Sequence, residues 1–161
     1  MKSITAFLLL IILSGSLSAQ TKVNNFRLKN LDNRTVSFSS LQGEVLTVID
    51  FWATWCKPCE KSLPELAKLS DEFQNKGVNF VGISIDSPRN LAKVKPFARS
   101  HKISYPVLLD LNSEVMAKLS VRAVPTLLIV NDENEIVYFH EGYQPGEEDQ
   151  IREEIVKQLQ K

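Results

Sequence analysis

Apolar and polar positions along the chain switch between two periods. Residues 26–41 alternate on either side of Leu31-Asp32-Asn33-Arg34. Asp-Asn is a favoured turn pair, so this stretch predicts a β-hairpin, closed off by Gly43. Residues 45–51 form a nearly continuous apolar run, the pattern of a strand buried on both faces, and residues 78–85 form a second. Between them Leu63, Leu66, Ala67 and Phe73 recur at helical spacing. They predict a helix that starts around Cys56, with Pro58 near its first turn, where a missing N–H costs nothing, and that ends by Gly77. Pro64 lies inside this helix and is expected to kink it. Residues 88–102 are helix-like but contain Pro96, so a kink or restart is expected there. A short strand at 106–109 and a short helix at 113–119 follow. Residues 126–130 and 136–139 flank Asn131-Asp132-Glu133-Asn134 and read as an antiparallel hairpin. The last helix, 147–160, has an acidic start that suits its dipole and an apolar stripe at Ile151, Ile155 and Leu159.

The order is a hairpin, a βαβ unit with an inserted helix and strand, then ββα. That order predicts the α/β class, with a mixed central sheet flanked by helices. The chain has 161 residues, enough for one domain with its own core. Residues 1–19 are expected to lie outside that domain. Lys2 is a positive start, residues 4–13 are apolar except for Thr5, and Ser14 to Ala19 are mostly small. This is the pattern of a secretory signal peptide, with cleavage expected after Ala19, or after Ser18, leaving a domain at 20–161. The apolar run is about half of the ~20 residues a spanning helix needs; an uncleaved N-terminal anchor is the alternative. With no cysteine near the cut, a lipid anchor is not expected.

Charge narrows the partners. Lys and Arg number 19, Asp and Glu number 19, and no basic stripe is visible, so a nucleic-acid partner is not expected. The chemistry concentrates at Trp55-Cys56-Lys57-Pro58-Cys59, which holds both cysteines of the chain. Export would place them where disulfides persist. A loop this short removes little entropy from the unfolded chain, so the pair is better explained by redox chemistry than by stapling. Zinc needs four ligands, and only His101 and His140 stand elsewhere, without a supporting motif. No metal is expected, and both histidines read as surface or packing residues.

The residues from Asp50 to Cys59, Asp-Phe-Trp-Ala-Thr-Trp-Cys-Lys-Pro-Cys, are followed by Pro64 inside the helix and by Val124-Pro125-Thr126 downstream. On these motifs the chain resembles the thioredoxin superfamily and, within it, the exported TlpA/ResA-like thiol-disulfide oxidoreductases, over residues 23–159. The resemblance implies a thioredoxin fold with an N-terminal β-hairpin and a helix-strand insertion near 88–110. It implies a cis peptide bond before Pro125 and a client-binding groove drawn from Trp55, Lys57, Pro58, Val124, Pro125 and Gly142. A plain turn is the competing reading of Gly142. It also implies no cofactor beyond the redox-active disulfide, protein thiols and disulfides as partners, a membrane protein as electron donor, a periplasmic location and a monomer. One departure stands out. Many members of the group carry a glutamate three residues after the second cysteine, where this chain has Ser62. Asp50, in turn, takes the buried acidic position of thioredoxin itself.

Roles follow for the individual residues. Cys56, at a helix start, meets unpaired N–H groups that favour thiolate, and only thiolate attacks a disulfide. Cys59, a turn deeper, is expected to resolve the mixed disulfide. Asp50 ends an apolar strand; burial would raise its pKa and let it take the Cys59 proton through water. The competing reading is an aspartate capping the strand in solvent. Lys57 either stabilises thiolate, raising the reduction potential, or is a solvated lysine. The function expected is an exported reductant of cytochrome apoprotein or misoxidised proteins. The alternatives are a dithiol oxidant and a peptide-binding or chaperone module with incidental thiols. A peroxidase is set aside: Thr54 is one residue too close to Cys56 for a peroxiredoxin site, and Ile49 stands where a proline belongs.

Overall fold

The computed structural model describes residues 22–161. The predicted leader at 1–19 lies outside the described residues.

The N-terminal hairpin is formed by β1 (Arg27–Asn30) and β2 (Thr35–Ser37). Asn30 holds its turn, with Oδ1 accepting from the N–H groups of Asp32 and Arg34, while Asn33 takes φ 60. The hairpin is shorter than the alternation suggests. A 3-10 turn at Phe38–Ser40 breaks away from the strand and buries Phe38 against Phe26, ring centroids 4.9 Å apart.

The core of the sheet is β3 (Leu46–Trp52), buried at every position, as its unbroken apolar run implied. After it come α1 (Lys57–Phe73), β4 (Val78–Ser84), α2 (Leu91–Ser100), β5 (Val107–Leu109), α3 (Glu114–Lys118), β6 (Thr126–Asn131), β7 (Ile136–Glu141) and α4 (Glu147–Leu159). The seven strands lie in the order β2-β1-β5-β4-β3-β6-β7. The β3, β4 and β5 strands are parallel, and antiparallel neighbours flank them on both sides. This is the mixed α/β sheet expected of a thioredoxin fold.

Alternation along β3 sends its side chains to two separate cores. Leu46 and Val48 meet Leu66, Leu69 and Phe73 of α1 and Ile151 and Ile155 of α4. Ile49 and Phe51 point the other way, to Val115 of α3, Leu119, Leu128 and Phe38. Each such side chain, fully buried, contributes about 1.5–3 kcal/mol. Trp52 joins a third cluster with Cys56, Cys59 and Leu63 from the start of α1 and Val94 and Ala98 from α2. The start of α1 is thus anchored where β3 ends.

The prolines behave differently from each other. A 3-10 turn at Pro88–Asn90 precedes α2, and the helix then runs on through Pro96. The restart expected at Pro96 falls at Asn90 instead. Pro96 frees the carbonyl of Ala92, and both residues face solvent, where water can satisfy that carbonyl.

Candidate active site

The Cys-x-x-Cys segment is where β3 turns into α1. Cys56 is the residue that caps α1: its Sγ accepts the backbone N–H of Cys59 at 3.2 Å. Pro58 occupies the second position of the helix and brings no N–H to be satisfied. The first turn therefore aims its unpaired donors and positive dipole end at the Cys56 sulfur, which favours thiolate over thiol. The two cysteines are joined by a disulfide, Cα atoms 5.3 Å apart. Cys56 keeps 4% of its surface exposed and Cys59 none, so an incoming sulfur reaches Cys56 first.

The turn that carries Cys56 is held from β4. Asp86, fully buried just past the end of that strand, accepts from the Thr54 N–H at 2.8 Å, the Thr54 hydroxyl at 2.6 Å and the Ser84 hydroxyl at 3.0 Å. Cys56 N–H closes the same turn by donating to the Ala53 carbonyl.

Across from the disulfide, the Val124–Pro125 peptide is cis. Val124 packs on the cluster that contains both cysteines. The Thr126 hydroxyl fixes the loop by donating to the Ala123 carbonyl at 2.7 Å. Gly142 donates its N–H to the Pro125 carbonyl at 2.8 Å. Its φ is 90, and nothing stands within 4 Å of where a side chain would begin, so the chain opens to solvent beside the cis-proline. Trp55 lies 59% exposed, whereas Trp52 is buried and stacks on Phe97. Lys57 is exposed, and its Nζ sits 2.9 Å from Glu60 Oε1, its charge turned to that carboxylate. Ser62 is buried and donates to the Cys59 carbonyl at 3.3 Å.

Asp50 lies within β3, third from its end, rather than at a solvent-facing terminus. It is 1% exposed. Burial pushes its carboxyl up to about 7, against the opposing pull of the Tyr105 hydroxyl, which donates to Oδ2 at 3.3 Å. Among the described residues, its Oδ1 and the Trp52 Nε1 are both buried with no hydrogen-bond partner. Val48, Asp50 and Trp52 share one face of β3; α1 packs Leu66 over Val48, and Cys59 and Leu63 beside Trp52. The start of α1 thus packs on the same side of the sheet as Asp50. A buried carboxyl whose pKa burial raises toward neutrality can accept and return a proton.

Among the described residues no group of three or more His, Cys, Asp or Glu side chains gathers as a metal site would. His101 lies on the Phe97 ring, and His140 Nε2 is 3.1 Å from Glu147. The sequence reading left out Asp86, Tyr105 and Gly82. Only Gly82 carried a local signal, since a glycine within a strand often marks a close approach.

The AhpC/TSA family matches residues 19–139. The thiol-disulfide oxidoreductase ResA of Bacillus subtilis is 30% identical over 122 residues, 76% of this chain and 66% of that protein. ResA of Halalkalibacterium halodurans is 29% identical over 133 residues, 83% of this chain and 72% of that protein. An uncharacterized thioredoxin-like protein from Porphyromonas gingivalis, solved in solution, superposes with a TM-score of 0.71 at 32% identity, covering 86% of this chain and 92% of its own. These likenesses agree with the motif, the sheet order and the capped disulfide: the chain belongs to the AhpC/TSA family, on a thioredoxin-like fold.

Proposed function

We propose that this thiol-disulfide oxidoreductase works as an exported reductant of protein disulfides, with Cys56 as its nucleophile, Cys59 as its resolving thiol and Asp50 as its proton carrier. The Cys56 thiolate attacks one sulfur of a client disulfide. The client's other sulfur leaves as a thiolate, and a mixed disulfide joins Cys56 to the client. Asp50 takes the Cys59 proton through a bridging water. The Cys59 thiolate then attacks Cys56, the second client sulfur departs, and Asp50 returns the proton to it. Two electrons pass to the client, and the Cys56–Cys59 disulfide is restored.

The observation that carries this is the capped sulfur of Cys56, slightly exposed, above a fully buried Cys59. Two features support the reducing direction. Lys57 is turned to Glu60, so it does little to hold Cys56 as a thiolate and leaves the pair reducing. Asp50, raised toward neutrality, serves the resolving step that releases reduced client. Trp55, Pro58, Val124, Pro125 and Gly142 form the rim on which an extended client segment lies. The domain acts as a monomer in the periplasm after removal of residues 1–19, receiving electrons from a membrane thiol donor, and its clients are cytochrome apoprotein or misoxidised proteins.

Trapping tests this reading. Cys59→Ala is expected to freeze mixed disulfides through Cys56, and mass spectrometry of the captured chains names the clients. A Cys56→Ser, Cys59→Ser variant with full biological activity would contradict it in favour of a thiol-independent binding module. N-terminal sequencing of the exported protein is expected to begin at Gln20, and a retained Met1 would overturn cleavage.

A further inference from the structure

Asp50 is held by a residue that comes from outside the active-site strand and helix. On β4 the partner of Asp50 is Gly82. A Cβ there would stand 3.0 Å from Trp52 Nε1 and 3.2 Å from Tyr105 Cε2. Both contacts are tighter than packed side chains normally show, so the bare backbone of Gly82 is what lets the two rings close over Asp50. Tyr105 is 7% exposed and stands just ahead of β5, its ring near Phe80 with centroids 5.8 Å apart. The Gly82 N–H donates to the carbonyl of Pro106, the next residue after Tyr105, which pins that segment to the sheet. Among the described residues the phenol has one hydrogen-bond partner, Asp50 Oδ2 at 3.3 Å, and leaves Oδ1 without one.

We infer that Tyr105, admitted by Gly82, is a positioning residue for the exchange reaction: its hydroxyl holds one oxygen of Asp50 and leaves the other to take the proton. This rests on the proton-carrying role proposed for Asp50. A phenol donating to the carboxylate favours the charged form, so it holds down a carboxyl that burial alone would drive higher. The titratable group bonded to Asp50 is Tyr105, from the segment before β5, and Cys59 of α1 belongs to the neighbouring cluster around Trp52. The strand β4 presents Gly82 and β6 presents Leu127, neither of which titrates. The hydroxyl of Tyr105 stays protonated throughout, because burial and the neighbouring carboxylate push its own pKa well above 10.

The test follows the Asp50 carboxyl carbon by NMR against pH in oxidised and reduced protein, assigned by its loss in Asp50→Asn. The same pH series measures disulfide reduction in wild type, Tyr105→Phe, Asp50→Asn and the double variant. Tyr105→Phe keeps the ring and removes the donor. It is expected to move the carboxyl midpoint upward by about one pH unit, with the matching limb of the rate profile. In the Asp50→Asn background the same change is expected to move nothing further. Gly82→Ala, which crowds the Tyr105 ring, is expected to shift the midpoint in the same direction. A carboxyl midpoint within about 0.2 pH unit of wild type in both single variants overturns the inference. An unchanged rate profile in Asp50→Asn defeats the role proposed for Asp50, while the carboxyl midpoint in Tyr105→Phe still decides whether Tyr105 governs it.

Discussion

Burial of Asp50 ties the stability of the fold to pH. Its carboxyl is raised from an ordinary value near 3.8 to about 7 by burial. Between those two values the folded chain holds a proton that the unfolded chain has lost. Stability from this group is therefore complete below pH 4 and falls as pH rises through 7. Asp50→Asn is expected to match wild type in urea unfolding near pH 4 and to exceed it above pH 7 by a few kcal/mol, with about 4 kcal/mol as the ceiling. A gap that shrinks as pH rises would contradict the buried-carboxyl account. At Lys57 the expectation runs the other way. Exposed and turned to Glu60, it is screened by solvent, so Lys57→Ala is expected to shift the Cys56 thiol titration by less than about half a pH unit. A shift of a full unit or more, read from thiolate absorbance, would restore to Lys57 the stronger role that its position between the cysteines suggests.

At the scale of elements, the active-site turn depends on β4 as much as on its own helix. Asp86 accepts three hydrogen bonds, two of them from Thr54. Asp86→Ala would leave the Thr54 N–H and two hydroxyls without this acceptor inside the fold. It is expected to destabilise the protein by about 2–4 kcal/mol and to slow client reduction more than it lowers client affinity. Unfolding curves and a split between kcat and KM check both parts. Asp86→Asn keeps an acceptor for Thr54 and is expected to lose less on each measure. The sequence could not announce this clamp. Asp86 stands 32 residues from Thr54 and follows a strand whose periodicity says only that it is buried. Tyr105 is further still, 55 residues from Asp50. What the sequence did carry was local. The apolar run at β3, the helix start near Cys56 and the apolar stripe of α1 are written in neighbouring residues, and so they were legible. Pro96 misled for the same reason: its local rule is strong, but which way the helix face points is decided by packing.

For the whole molecule, the α/β class and the mixed sheet were legible because runs of period 2 and 3.6 alternate cleanly along the chain. The strand order was not. The docking of β1 against β5 rests on Lys29 and Asn30 meeting Leu109 and Leu108, a pairing of residues some 80 apart that no local pattern encodes. The direction of electron flow is likewise a property of the entire fold, since a protein whose oxidised form is the more stable one holds its disulfide against reduction and so acts as a reductant. Oxidised protein is expected to unfold at higher denaturant than the dithiol form, each 30 mV of lowered potential corresponding to about 1.4 kcal/mol. The reverse order would make the chain an oxidant.

The exchange chemistry depends on the sulfur that caps α1 being charged at neutral pH and open to attack. Alkylation of the reduced protein with iodoacetamide, followed across pH and mapped by mass spectrometry, reads this directly. The account predicts that Cys56 is modified well before Cys59, with half-maximal rate clearly below the ~8.5 of free cysteine. Equal modification of the two sulfurs, with a midpoint at the free-cysteine value, would contradict it.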